Sequence, residues 1–364
     1  MREGTAALVD ALSGSFTVET VCDVFRGTDR VLQDQRFTGW SLSGDMNSAV
    51  KYSGSGTLVI PSVAGESAVP NGTSGTLSPF GAVLTISVVV SAGRFSERVL
   101  LGWFKVTAVT DAADSVADVN GISTVIASSV TVEFRSLDER IKRAGFRSPE
   151  QPSSETTCWA ELRRIGILPV KESLPDVVVP SGLTWTAEKG KRLEAAETLA
   201  AALGGVLIPT SDARITVAPN VGDVVMTLEL GEYGTVLDVG HSVESDDVPN
   251  EVIGVYEAAD GTPIYARAVA TGALGEDDVH TAYHSSPEVT DQASADLAVE
   301  RELARAIRAQ YVDRRVVCVM NPLVEIGDFV EVVGWDRPLS GQVRQTDISD
   351  EATMTVTIRE VLSL

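Results

Sequence analysis

Four things are scarce in this 364-residue chain, and each scarcity narrows what it can do. Cysteine occurs three times, at Cys22, Cys158 and Cys318. An odd number at wide spacing suggests neither a disulfide framework nor a metal knuckle, and it suits folding in a reducing cytoplasm. Aromatic residues are only 5%, so the cores are expected to be built from Val, Leu, Ile and Ala. Basic residues are outnumbered, 29 Lys and Arg against 51 Asp and Glu, for a formal net charge of -22. That excess repels phosphate and disfavours non-specific binding of nucleic acid. It reads either as an acidic soluble surface or as an acidic channel wall along which DNA slides without sticking. Long apolar runs are also missing. The most apolar region, Ala82 to Ala92, is interrupted by Thr85, Ser87 and Ser91 and falls short of the roughly 20 residues a membrane helix needs. Met1 to Phe16 holds no apolar stretch of signal-peptide length. No membrane span and no Sec export are expected.

What is present is ordinary globular material, 44% hydrophobic and 22% charged. The length exceeds what one core usually organises, so two or three folded units are expected. Strand patterns run over Phe16 to Phe25, Phe37 to Leu42, Thr57 to Ile60, Val83 to Val90, Arg98 to Val109 and Val125 to Phe134. Residues 61–79, rich in Gly, Ser and Pro, read as a long loop. The period then changes. Ser136-Leu137-Asp138-Glu139 has the spacing of a capping box, opening a helix with Leu137, Ile141 and Ala144 on one face. Further helices are predicted over about Glu155 to Ile165 and Leu193 to Leu203, then short strands over Val206 to Pro209 and Arg214 to Ala218. From about Val225 the β signal returns, through Glu251 to Glu257, Ile264 to Ala270, Arg314 to Met320, Phe329 to Val333, Gly341 to Asp347 and Met354 to Val361. One long helix interrupts it, about Asp291 to Gln310, with Thr290 as expected N-cap and Ala295, Val299, Leu303 and Ala306 as its buried stripe.

Each motif that could carry chemistry lacks a required part. His280 and His284 have zinc-protease spacing, but His280-Thr281-Ala282-Tyr283-His284 has no Glu beside the first His to serve as general base. Gly240-His241-Ser242-Val243-Glu244 begins like a nucleophile elbow but lacks the second Gly that the sharp turn needs. Gly54-Ser55-Gly56 leads into a strand, and a phosphate cradle needs a helix N-terminus. Gly190-Lys191-Arg192 precedes a helix without the rest of a P-loop. Asp246-Asp247 and Asp277-Asp278 lack the alternating carboxylates and central Gly of a calcium loop and read as solvated turns. Asn71-Gly72-Thr73 fits a glycosylation sequon, which carries little weight without a secretory signal. No catalytic, cofactor-binding or metal site is expected, and the chain is not expected to be an enzyme. What remains is shape and contact. A β-rich chain must pair or cover its strand edges, and a symmetric ring is one way to do so.

The order of features resembles the tail-hub family, or minor tail proteins, of long-tailed phages infecting actinobacteria. Val21 to Phe25, Arg26-Gly27 and Phe37 to Leu42 match its opening strands. Leu77-Ser78-Pro79-Phe80-Gly81 and Leu101-Gly102-Trp103-Phe104-Lys105-Val106 match its next loop and strand. Leu137-Asp138-Glu139-Arg140-Ile141 and Leu199-Ala200-Ala201-Ala202-Leu203 match the helices of its middle domain. Pro249-Asn250-Glu251-Val252-Ile253, Asn321-Pro322-Leu323-Val324-Glu325-Ile326-Gly327-Asp328 and Met354 to Arg359 match its C-terminal part. One departure from the family pattern is the segment Ala268 to His284, which is short and lacks the family's rich Asp-Pro content.

The resemblance implies an α+β, mainly β, baseplate-hub-like fold. Two tube-like β-barrel domains, residues 1–135 and 225–364, would flank an α+β insert domain, 136–224, with a helical insertion at about 291–310. It implies a structural hub subunit of the tail tip, a homotrimeric ring that joins tail tube to tip around the DNA exit channel. Its partners would be further copies of itself, a distal tail ring protein, a tape-measure protein and other tail-tip or fibre proteins. No sequence-specific nucleic acid binding and no stable membrane span are implied, and the location would be the virion, after assembly in the host bacterial cytoplasm. An adaptor ring or a receptor-binding subunit is the alternative, and a cell-wall hydrolase stands behind both. Purified protein is expected to release no soluble fragments from peptidoglycan. Robust turnover that vanishes on His280→Ala or Ser242→Ala would contradict that expectation.

Overall fold

The computed structural model describes every residue except positions 1, 3, 120, 154, 233, 243–248, 259–260, 272–274, 276–277, 287–288, 309–310, 335–337 and 362–364. The chain forms two compact units, Met1–Val239 with Val316–Ile358, and Gly240–Arg315 with Arg359–Leu364. In the first unit, helix α1 (Ala6–Leu12) precedes six strands: β1 (Thr17–Arg26), β2 (Asp29–Asp45), β3 (Tyr52–Pro61), β4 (Ala82–Ala92), β5 (Phe95–Val119) and β6 (Ile122–Ser136). Three helices follow, α2 (Asp138–Arg143), α3 (Cys158–Ile165) and α4 (Lys191–Ala202), then strands β7 (Gly205–Pro209), β8 (Ile215–Pro219), β9 (Met226–Glu229) and β10 (Val236–Ser242). The second unit holds β11 (Glu251–Glu257), β12 (Pro263–Val269), β13 (Thr281–His284) and α5 (Gln292–Arg308). Strands β14 (Tyr311–Val319), β15 (Phe329–Val333), β16 (Leu339–Ser349) and β17 (Thr353–Val361) complete the chain.

The first six strands pair antiparallel in the order β1-β4-β5-β6-β3-β2, and β2 pairs back to β1, so the ring closes and leaves none of the six without two neighbours. Closure removes the exposed strand edges that would otherwise template aggregation. Strand β2 is long enough to do two jobs. Its Ser41–Gly44 stretch pairs with β3 on one side, while Ser41–Asp45 pairs with β16 on the other. From β16 the sheet continues through β17 and β14 to β10, and through β15 to β9. A parallel bridge between Leu230 and Val236 brings the β9 and β10 ends together. One hydrophobic cluster runs through both sets of strands, from Leu42, Leu58 and Val132 to Val316, Val330, Val343 and Val356.

That cluster is mostly aliphatic, as the composition requires, yet four of the few aromatics meet inside it. Phe37 lies 6.3 Å from Trp40 and 6.0 Å from Phe134, and Phe104 packs edge-on to Phe134 at 5.2 Å. Room for them comes from Gly54 and Gly56, the two glycines considered above as a phosphate cradle. A Cβ at Gly54 would stand 2.1 Å from the Ser41 carbonyl and 2.6 Å from the Phe134 ring, and one at Gly56 2.4 Å from the Phe37 ring. Their function is close packing of strand against ring.

Residues 136–224 build their own cluster around Trp159, Leu162, Leu193 and Leu199, capped by the β7–β8 hairpin. Trp159 donates its indole N–H to the Leu174 carbonyl at 2.9 Å. Buried Glu161 accepts two bonds from Arg164 and one from the Trp185 indole. In the second unit, α5 covers one face of the β12-β11-β13 sheet, with Ala295, Val299 and Leu303 against Val252, Tyr256 and Ala266. No helix among the described residues is long and apolar enough to cross a membrane.

Several local expectations need correction. Helix α1 carries no signal strong enough to stand alone at seven residues. It is capped by the Thr5 hydroxyl on the Leu8 N–H and buries Leu8 and Leu12. Strand β5 continues well beyond Val109, because its outer half keeps pairing with β6 as far as Val119↔Ile122. The capping box does not form: α2 has no side-chain cap, since the Ser136 oxygen accepts the Tyr52 N–H while its hydroxyl donates to Asp138, and Glu139 pairs with Arg135 and Arg143. The cap of α5 is Asp291, whose carboxylate accepts the Ser294 N–H at 2.9 Å, in place of Thr290. Gly54→Ala and Gly56→Ala are each expected to cost about 2 kcal/mol or more through overpacking, read as a lowered midpoint of denaturant unfolding. Unchanged midpoints would contradict the packing role.

Candidate functional site

The residues singled out for chemistry lie apart and in structural roles. His280 donates its backbone N–H to Asn250 Oδ1 at 2.7 Å, and Asn250 Nδ2 donates to the Asp278 carbonyl. His284 lies on β13, with Nδ1 2.8 Å from the Tyr256 hydroxyl. On extended chain, four residues span about 13 Å, too far for the two imidazoles to share a metal. Ser242 ends strand β10. The elbow motif continues into 243–244, and Asp246-Asp247 and Asp277 also lie outside the described residues. Gly190 caps α4 at φ +86, Lys191 pairs with Glu194, and Arg192 lies over the Phe146 ring at 4.5 Å, so the segment packs a helix start. Asn71 forms a bridge with Ser74 in the exposed loop. No group of three or more metal-ligating side chains occurs among the described residues.

One constellation that sequence reasoning missed does have the look of chemistry. Asp138, 2% exposed, accepts the Ser136 hydroxyl at 2.6 Å, the Glu139 N–H at 3.1 Å and the Lys51 N–H at 2.8 Å. Burial pushes its carboxyl up against those stabilising bonds. Lys51 donates its ammonium to the Met46 and Ser48 carbonyls and faces Glu197 at 3.8 Å. Burial pulls Lys51 down and pushes Glu197 up. A small cavity lined by Ser136 and Tyr52 holds about 10 Å³, room for one water at most. This network is a polar joint tying β3 and β6 to α2 and α4. Only the spacing of Ser136 and Asp138 hinted at it; Lys51 arrives from 87 residues away and gave no signal.

The feature that stands out on the surface is a sheet face. Registers across β6-β3-β2-β16 align Glu133, Ser55, Ser41 and Ser349 in one row, and Arg135, Ser53, Ser43 and Asp347 in the next. Thr57 and Thr131 extend it with a hydroxyl pair at 2.9 Å. On β17 the alternation places Met354, Val356 and Ile358 inward and Thr353, Thr355 and Thr357 outward. A single continuous face thus crosses both sets of strands, built of short hydroxyl side chains with scattered charge and no aliphatic residue in these rows. Arg135 is held by Glu139, and Lys105 pairs beside it on β5.

Elsewhere in this unit Asp328 follows Gly327, whose φ of +91 makes the turn into β15. It is buried, accepts the Glu325 N–H at 2.9 Å, and is pushed up to about 6 by burial.

No protein-family model matches the sequence, and no curated protein sequence matches it. Solved structures do share the fold. The tail protein from Neisseria meningitidis is similar over 94% of this chain and 97% of its own, with TM-score 0.57 and 11% identity. The 43 kDa tail protein of prophage MuSo2 from Shewanella oneidensis is similar over 94% and 98%, with TM-score 0.54 and 14% identity. The Francisella PdpA–VgrG complex contains a chain similar over 98% of this one and 61% of that one, with TM-score 0.52 and 8% identity. The likeness covers 94% or more of this chain, and the mainly β, α+β fold expected from the sequence is the one observed.

The Asp328 shift has a testable sign. An unfolded Asp ionises near pH 3.9, whereas the folded group holds its proton to about 6. The folded state therefore binds the extra proton, and stability contributed by this group is present at low pH and declines as pH rises from about 4 to about 6. Asp328→Asn is expected to flatten that decline in unfolding midpoint. An identical pH profile in the variant would contradict it.

Proposed function

We propose that this chain is a structural subunit of a bacteriophage tail, a hub protein that assembles as a three-membered ring between tail tube and tip around the path of the DNA. The observation that carries this reading is the hydroxyl and carboxylate face that runs unbroken from the first set of strands to the second. A wall of Ser, Thr, Asp and Glu gives a polyanion little to bind. Short side chains keep it smooth, and its carboxylates keep phosphate at a distance.

Architecture supports the ring. Residues 1–135 and 225–364 each supply a set of β strands, with 136–224 as an insert, so three copies present six such sets and could meet a six-fold tube. Closed symmetry is the usual solution for a protein that must bury its remaining edges. The tail-protein names of the fold's neighbours agree with a virion location. The order of motifs adds the narrower placement: a long-tailed phage of actinobacteria, with a distal tail ring protein, a tape-measure protein and tip or fibre proteins as neighbours. Every catalytic candidate lacks a partner residue, a cavity or a suitable backbone, which supports a non-enzymatic role.

Quantitative mass spectrometry of purified particles against a six-copy ring protein tests this. Three copies per tail are expected. Six copies would make the chain an adaptor ring, and specific binding to isolated host envelope by the free chain would make it a receptor-binding subunit.

A further inference from the structure

The first six strands of the chain close on themselves, but the sheet of the second unit keeps two free edges. Its order is β12-β11-β13, and among the described residues neither outer strand has a second neighbour. Unpaired strand edges are templates for another strand. The bonds on the inner side of each outer strand fix which residues face out. The Ala258 N–H donates to the Thr262 carbonyl at 2.8 Å, and the Ala270 N–H to the Asn250 carbonyl at 2.8 Å. Even-numbered residues of β12 therefore face β11, and Tyr265, Arg267 and Val269 turn their backbone N–H and C=O groups to the open side. Gln292 agrees with that phase, donating its side-chain amide to the Tyr265 carbonyl at 3.0 Å. On β13 the His280 carbonyl accepts the Glu251 N–H at 3.2 Å, so Thr281 and Tyr283 face out. With the Tyr265 carbonyl taken, each edge offers two residues, Arg267 and Val269 on one side, Thr281 and Tyr283 on the other.

The two edges are unlike and fit each other. Strand β12 runs against β11, and β13 runs with it. A β13 edge laid beside the β12 edge of another copy is therefore antiparallel, with α5 of both copies on the same side of the joined sheet. The side chains agree. Val252 and Tyr256 pack with α5, so Glu251, Ile253 and Val255 face the other way, and the registers place Arg267, Val269, Thr281 and Tyr283 with them. Two rows result, Arg267-Ile253-Tyr283 and Val269-Glu251-Thr281. Laid end to end, the rows of two copies bring Tyr283 against Arg267 and Thr281 against Val269. Tyr283 is 76% exposed and Val269 46%, so both pairs have surface to bury, and a guanidinium beside a tyrosine ring is attracted to it.

We infer that the β13 edge of one copy pairs antiparallel with the β12 edge of a second copy of this chain, setting Tyr283 opposite Arg267 and Thr281 opposite Val269. Because the edges differ and both belong to every chain, the contact is head-to-tail and closes a ring when the rotation permits. Backbone bonds supply much of the contact, so it forms between chains whose net charge of -22 otherwise keeps them apart. This rests on the ring reading above and names one of its contacts.

Disulfide trapping in the full chain tests it. The native cysteines Cys22, Cys158 and Cys318 are buried, so introduced thiols report alone. Residues opposite each other in such a pair hold their Cα atoms about 5.5 Å apart, within disulfide reach. Val269→Cys mixed with Thr281→Cys is expected to give a mixed disulfide dimer under mild oxidation, and neither variant alone is expected to link to itself. Val269→Pro removes only an outward N–H, which an edge strand tolerates. It is expected to keep the wild-type unfolding midpoint while weakening self-association in sedimentation by roughly tenfold or more. No mixed disulfide, self-linkage of either variant at equal yield, or unchanged association of Val269→Pro would overturn the pairing. Three copies per particle without the mixed disulfide would leave the hub reading standing and remove this contact alone. The mixed disulfide in particles holding six copies would keep the contact and remove the three-membered ring.

Discussion

The structure depends on one strand that belongs to two sets. Strand β2 spans Asp29–Asp45, pairing first with β1, then with β3 on one edge and β16 on the other. Without that sharing, the first six strands would close as an isolated ring, and β16 would be left with an open edge. Sharing makes the two sets one continuous sheet with one core, and it puts the outward residues of both on a common face. The close approach needs Gly54 and Gly56, because a side chain at either would collide with the β2 backbone or with the aromatic group beneath. A local packing constraint therefore underlies a surface that crosses the whole unit.

Much of this was legible in the sequence, in proportion to how local its causes are. Alternation located nearly every strand, and the 3.6 period located α3, α4 and α5. Trp159, Leu162 and Ile165 are buried together, as their spacing implied. Cap identities were less legible. Ser136 sits at a good capping spacing, but its oxygen accepts the Tyr52 N–H from a distant strand and its hydroxyl donates to Asp138. Closure of the first ring, through Val21↔Arg36 and Cys22↔Gln35, is a long-range pairing that no periodicity encodes. Gly54-Ser55-Gly56 shows the same limit from the other side: the sequence excludes a phosphate cradle there but does not show that the two glycines serve close packing.

The candidate site was legible only as an absence. Each motif fell short of a reaction for a reason visible in the residues: a missing base, a missing glycine, a missing helix. What replaces it could not be read from any single segment, because the polar face pairs residues as far apart in sequence as Ser41 and Ser349. Its rows become rows only when β6, β3, β2 and β16 are laid side by side. The wall is hydroxyl-rich with scattered carboxylates, and most of the excess acid lies in residues 225–364.

The central claim is that this face lines the path of DNA in an assembled ring. A three-dimensional reconstruction of the tail tip tests it most directly. The account predicts three copies around the tail axis, with Ser41, Ser55, Asp347 and Thr355 facing the lumen. A ring in which that face points to bulk solvent, or is covered by another protein, would contradict it.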